Sequence, residues 1–271
     1  MAIPSESTAS AASTTTLSFR MDTRAPALPG ARACGVPTPA RTFLLRPPAP
    51  WAGGPADGDA PEALIVDLYD GEQDAAGHDP GAVRAAALNL LRSPAAARLA
   101  PQIWLRVRPL LWPGWRADLE ALGHFADGVV VPETTTVAQI TEVAAHCPGL
   151  PVMPVLRAGL SASAVARIAE HPRVVRLAFA YPRPGGSAER FTQDARRRAN
   201  TLLWGRSVLP AASRAAGLPG PVNALGGPPE DAAAMMHDAT LALTAGYTGQ
   251  CVRDSRLLSL TRSLQRHADL D

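Results

Sequence analysis

Arginines and acids recur directly after short apolar runs in this chain. Arg46 follows the first run; Asp67, Tyr69 and Asp70 end or follow the second; Arg106 and Arg108 come after the third. Glu133, Arg157, Tyr181 with Arg183, Asn223, and Cys251 with Arg253 take the same place after later runs. A guanidinium is a planar fork that grips a carboxylate or phosphate through two parallel hydrogen bonds. A carboxylate set between guanidiniums stays ionised and can accept a proton. Glu133, Asp70 and Tyr69 are the candidate bases, and Arg106, Arg157, Arg183 and Arg46 the candidate anion binders. Such a set could capture a small anion and steady enolate-like charge with fixed donors.

Other chemistry is excluded by composition. All 26 basic residues are arginine and none is lysine. A Schiff-base aldolase needs a lysine amine as nucleophile, and a Walker-type phosphate loop needs a lysine as well. The three cysteines, Cys34, Cys147 and Cys251, are scattered and odd in number, which argues against a disulfide framework or a zinc site. Net charge is only +2. The Arg196–Arg198 run lacks interleaved aromatics and reads as a solvated helix face, so no nucleic-acid partner is expected.

The elements that must position these residues follow from periodicity. The chain has 271 residues, 46% of them apolar, enough for one barrel-sized domain. Residues 1–40 are rich in Ser, Thr, Ala and Pro and read as a loosely packed extension, leaving residues 41–271 as the single domain. No apolar run reaches the roughly 18–20 residues of a membrane span. The first residues lack the basic start and apolar core of a secretory signal. A cytoplasmic protein with no membrane partner is expected. Strands are predicted at Thr42–Arg46, Ala63–Leu68, Ile103–Val107, Gly128–Val131, Pro151–Leu156, Val174–Ala180, Pro221–Asn223 and Gly249–Val252. Helical patterns lie between them at Pro80–Leu91, Trp115–Leu122, Thr136–His146, Ser161–Glu170, Ala188–Ala216 and Pro229–Ala245, with Gly246 placed to end the last. Eight strands alternating with helices predict an α/β fold, the (β/α)8 TIM barrel. Its active sites lie at the C-terminal ends of the strands, where the arginines are.

Five quoted segments, in order, resemble the citrate lyase beta subunit and its relatives in the HpcH/HpaI aldolase superfamily. Thr42-Phe43-Leu44-Leu45-Arg46-Pro47 is similar to the opening strand S-x-L-F-V-P, and Ala63 to Gly71 to A-x-I-L-D-L-E-D-A. Trp104 to Arg108 resembles V-R-V-N, Asp127 to Glu133 resembles D-G-V-x-L-P-K, and Ala245 to Val252 resembles A-L-G-F-D-G-K and the strand after it. The resemblance covers about residues 42 to 260. It implies a carbon–carbon lyase, a homo-oligomer (a trimer or hexamer), and a role for Arg106 on the substrate's carboxylate or thioester carbonyl.

The departures from that pattern bear on mechanism. Relatives bind magnesium through a glutamate after the fifth strand and an aspartate after the sixth. Pro154-Val155-Leu156-Arg157 resembles P-x-I-E, which puts Arg157 in the glutamate position. Pro172 to Arg183 resembles P-R-V-D-A-L-V-F-G-A-E-D, which puts Arg183 in the aspartate position; a one-residue slip at Tyr181 supplies no acid either. The formal local charge changes from about −2 to about +2, and magnesium needs oxygen ligands. Tyr69 stands where D-L-E-D has its glutamate, Glu133 where L-P-K has its lysine, and Arg253-Asp254 near the usual His-Pro. No cofactor is therefore expected, magnesium included, and the partner expected is a small anionic substrate: a carboxylate, an oxo acid or an acyl thioester, coenzyme A among the carriers. A divergent, metal-independent lyase is the leading expectation. A non-catalytic anion-binding or assembly subunit is the alternative.

Overall fold

The structure is a computed structural model that describes residues 40–48, 60–69, 79–93, 100–180, 190–224 and 232–268, with the side chains of some helical residues left aside. Asp70, Tyr181, Arg183, Cys34 and the 1–39 stretch lie outside the described residues.

Eight parallel strands close into a barrel in sequence order. They are β1 (Thr42–Arg46), β2 (Ala63–Asp67), β3 (Gln102–Arg106), β4 (Gly128–Thr134), β5 (Val152–Leu156), β6 (Ala178–Ala180), β7 (Val222–Ala224) and β8 (Gly249–Val252). Closure is made by β1 against β8, with Phe43 beside Cys251 and Leu44 beside Val252. The described helices are α1 (Pro80–Arg92), α2 (Trp115–Leu122), α3 (Val137–His146), α4 (Ala162–Ala169), α5 (Arg190–Ala215), α6 (Ala232–Thr244) and α7 (Leu258–Ala268). None is long and apolar enough to cross a membrane. Local chemistry sets their ends. Asp79 caps α1 through the Gly81 N–H with Pro80 in the first turn, Thr136 and Gln139 form a capping box on α3, and Ser161 caps α4. Gly246, at φ +101°, follows α6 and returns its N–H to the Leu243 carbonyl, as the sequence predicts.

Strand parity sorts the side chains. Phe43, Ile65, Trp104, Val130, Met153, Ala178, Val222 and Cys251 form the barrel interior, whereas Leu44, Leu64, Val66, Leu105 and Val252 face the helices. Large interior residues require small neighbours. A Cβ on Gly128 would lie 2.4 Å from the Trp104 ring, so Trp104 fills the space that Gly128 vacates.

The N-terminal end of the barrel is sealed by Arg176. Its Nε donates to the Gly220 carbonyl (2.9 Å), its Nη1 to the Ala40 carbonyl and its Nη2 to Thr248 Oγ1 (2.7 Å), while the guanidinium lies over the Phe43 ring. Burial pulls its pKa down to about 10. Beside it, the Arg41 carbonyl accepts from Gln265 Nε2 (2.8 Å) and from the Gln250 N–H, and Arg41 Nη2 donates back to the Gln265 carbonyl. This clasp fastens α7 to the entry of β1. Helix α7 is absent from the sequence prediction; it buries Leu258, Thr261 and Gln265 along one face.

Candidate functional site

The C-terminal end of the barrel gathers charge on the inward parity of its strands. Asp67 follows Ala63 and Ile65 on the inner face of β2, and Arg106 follows Trp104 on that of β3. The two are register partners. Arg106 Nη1 lies 2.9 Å from Asp67 Oδ1, 2.8 Å from Asp67 Oδ2 and 3.1 Å from the Tyr69 carbonyl. Asp67 is 97% buried, and its Oδ1 also accepts the Tyr69 N–H at 3.2 Å. Across the β1–β8 seam, Arg253 Nη2 stands 3.8 Å from Asp67 Oδ2. One buried carboxylate thus supports two arginines from different strands. Arg106 Nε and Nη2 have no hydrogen-bond partner among the described residues, and the side chain keeps 21% exposure at the mouth.

Arg157 completes the cationic rim from the far side. It continues the inward parity of Met153 and Val155 on β5, is exposed, and donates its backbone N–H to the Thr134 carbonyl at 3.4 Å. Its guanidinium has no partner among the described residues. Below the rim, Cys251 forms part of the floor, and burial pushes its thiol up to about 12 despite nearby Arg253 and Arg106.

Glu133 is the one described non-glycine residue with positive φ (52°). It sits in a bulge where the β4–β5 register shifts between Val131 and Thr134, and Thr134 Oγ1 bonds back to the Val131 carbonyl at 2.9 Å. The bulge leaves the Glu133 carboxylate exposed at the mouth with no partner among the described residues. A left-handed non-glycine residue costs about 1–2 kcal/mol, and bulges beside strand ends commonly re-aim a side chain.

The remaining sequence candidates fall differently. Tyr69 is half-buried, its ring 5.9 Å from the Arg106 guanidinium and 5.8 Å from the Trp112 ring. Arg46 takes the outward parity of β1 and leans on the rim, with Nη1 3.4 Å from the Arg253 carbonyl. Arg108 is not a mouth residue. It is buried against α2, where Asp118 joins it at 2.6 Å and Arg84 at 3.0 Å. Asn223 also turns outward, 3.3 Å from Asp238 on α6, which Arg206 pairs as well. Asn223 follows the helix-facing parity of its strand, whereas Arg108 lies past the end of β3 on the parity of Trp104 and Arg106 and still turns into the helix layer to meet Asp118. Asp67 and Arg253 are not among the bases and anion binders that the sequence points to, although the inward parity of Cys251 extends to Arg253.

Both Asp67 oxygens already accept from Arg106, Arg157 occupies the β5 end, and no group of three or more His, Cys, Asp or Glu residues gathers among the described residues. These residues do not fit magnesium, which takes several oxygen ligands.

Neither family models nor curated protein sequences match the chain. Solved structures do. RipC from Yersinia pestis superposes with a TM-score of 0.63 at 18% identity, over 83% of this chain and 94% of that one. The citrate lyase beta subunit of Mycobacterium tuberculosis superposes at 0.58 with 21% identity, over 83% and 96%. The chain shares the fold of the citrate lyase beta subunit. The Mycobacterium tuberculosis subunit complexed with oxaloacetate and magnesium superposes equally well, at 0.58 with 20% identity over 84% and 97% of the two chains. Against that citrate lyase fold, the guanidinium-rich mouth is a feature of this chain's own residues.

Proposed function

We propose that this chain is a divergent relative of the citrate lyase beta subunit that binds a small carboxylate, oxo acid or acyl thioester without magnesium and performs aldol-type carbon–carbon cleavage or formation. The observation that carries the reading is the inward parity shared by Arg106, Arg253 and Arg157, the first two paired with the one buried carboxylate of Asp67. Arg106 offers its two remaining nitrogens to the substrate carboxylate, and Asp67 fixes the orientation of that fork. Arg157 faces the same space and steadies the negative oxygen that develops as the bond breaks. In the cleavage direction a base takes the proton of the substrate hydroxyl and the carbon–carbon bond breaks. Its electron pair passes into the enolate, which a proton then quenches. Glu133 is assigned as the base, with Tyr69 and Asp70 as the other sequence candidates for proton handling. Assembly as a homo-oligomer belongs to the same proposal and is checked by sedimentation.

The test is calorimetric titration of chelator-treated protein with pyruvate and oxaloacetate, followed by turnover of an oxo-acid aldol in the same buffer. Binding that Arg157→Ala weakens about 10-fold or more supports the anion site. Binding that requires added magnesium overturns metal independence. Both oxygens of Asp67, the buried carboxylate of the mouth, are engaged by Arg106, which makes it a support and not a base. That observation favours, as a second reading, an anion-binding subunit without turnover; tight binding with no cleavage would establish it.

A further inference from the structure

We infer that the carboxylate held by Arg106 carries a planar aromatic tail that lies on Trp112 and Tyr69 at the barrel mouth. The inference rests on the proposed carboxylate-binding role of that mouth and adds the class of substrate.

The loop between β3 and α2 places apolar surface beside the charged donors. Leu111 is 90% exposed and Trp112 is 48% exposed. The other large exposed apolar residues described, Leu203, Leu241 and Leu260, stand on α5, α6 and α7. Among the described residues the platform is therefore local to the mouth and not continuous with the broad patch a protein partner of ordinary size would need. It is also held in place. The Trp112 N–H donates to the Pro109 carbonyl at 2.8 Å, Pro109 and Pro113 bracket the turn, and the indole packs tilted at 58° against the Tyr69 ring. An indole held half in water by a proline-braced turn loses little further conformational freedom when a ring stacks on it. The Tyr69 ring in turn borders the Arg106 guanidinium. Guanidinium, phenol and indole thus form one strip running from charged to apolar, the pattern that complements an arylalkyl carboxylate or aryl oxo acid better than an acid without the ring.

The experiment compares two oxo acids that differ only in the ring. Wild-type, chelator-treated protein is titrated with pyruvate and phenylpyruvate. Phenylpyruvate is expected to bind about 3- to 10-fold more tightly. Trp112→Ala is expected to erase the difference while leaving pyruvate affinity within about twofold, and Trp112→Phe to keep part of it. Equal affinities in the wild type, or a preference that survives Trp112→Ala, overturn the inference while pyruvate binding still upholds the anion site. If no oxo acid binds, both fall. Sedimentation of the variant gives a separate check. A smaller assembly in Trp112→Ala, with no ring preference in the wild type, would make Trp112 a subunit contact and end the inference.

Discussion

The two ends of the barrel hold arginine in opposite ways. At the N-terminal end, Arg176 is 96% buried and all three of its nitrogens meet protein oxygens. At the C-terminal end, Arg157 is exposed with no partner among the described residues, and Arg106 bonds through Nη1 alone. A guanidinium whose donors are all engaged is a structural bolt. One whose donors face an open mouth is available to a ligand. The same residue type therefore carries opposite meanings, and a substitution at each end separates them.

The largest effect should come from the sealed end. Arg176→Leu strips hydrogen bonds from the Gly220 and Ala40 carbonyls and from Thr248, and should cost about 3 kcal/mol or more of stability in urea unfolding. Protein that remains folded should bind oxo acids normally; a selective loss of binding would break the contrast. At the open end the pattern should invert. Arg157→Ala should shift stability by no more than about 0.5 kcal/mol, while anion affinity falls about 10- to 100-fold in titration. A smaller gain is expected at the bulge. Glu133→Gly relieves the left-handed backbone and should raise stability by about 1 kcal/mol while removing turnover, read by thermal unfolding alongside a cleavage assay.

The smallest effect concerns acid and returns to the sealed end. Burial, then the Arg173 charge, lowers the pKa of His171, whose Nδ1 accepts the Arg173 N–H at 3.2 Å. The unfolded chain therefore takes up this proton more readily than the folded one. Stability is full above the ordinary histidine pKa and declines as pH falls through it. The slight fall in melting temperature between pH 7.5 and pH 5.5 should be reduced in His171→Gln.

Much of the barrel was legible because its strands are short apolar runs bounded by breakers. The predicted bounds of β1 and β8 coincide with those observed, and β3, β5 and β7 agree within a residue. The predicted sixth strand begins too early because Arg176 dips into the barrel floor and Val174 makes a single bridge to Val152; the ladder starts at Ala178. Glu133 stands directly after an apolar run, which marks its place, but its bulge carries no sequence signal, since a glutamate is a poor left-handed residue. Arg108 reads like Arg106 in sequence. It also shares the inward parity of Arg106, and only its place past the end of β3 and a buried Asp118 ten residues further on divert it into the helix layer. The arginine pattern showed where charge gathers, and pairing in three dimensions decides which charges are occupied.

The clasp between Arg41 and Gln265 joins residues 224 positions apart in the chain. Contacts of that separation form only after most of the intervening chain has ordered, because loop closure must precede them. The seam they lock is therefore a late event in folding. Interactions absent from the transition state slow unfolding without speeding folding. Weakening this clasp should leave the refolding rate nearly unchanged and shorten the lifetime of the closed barrel, so the N-terminal seam governs how long the mouth at the opposite end stays assembled.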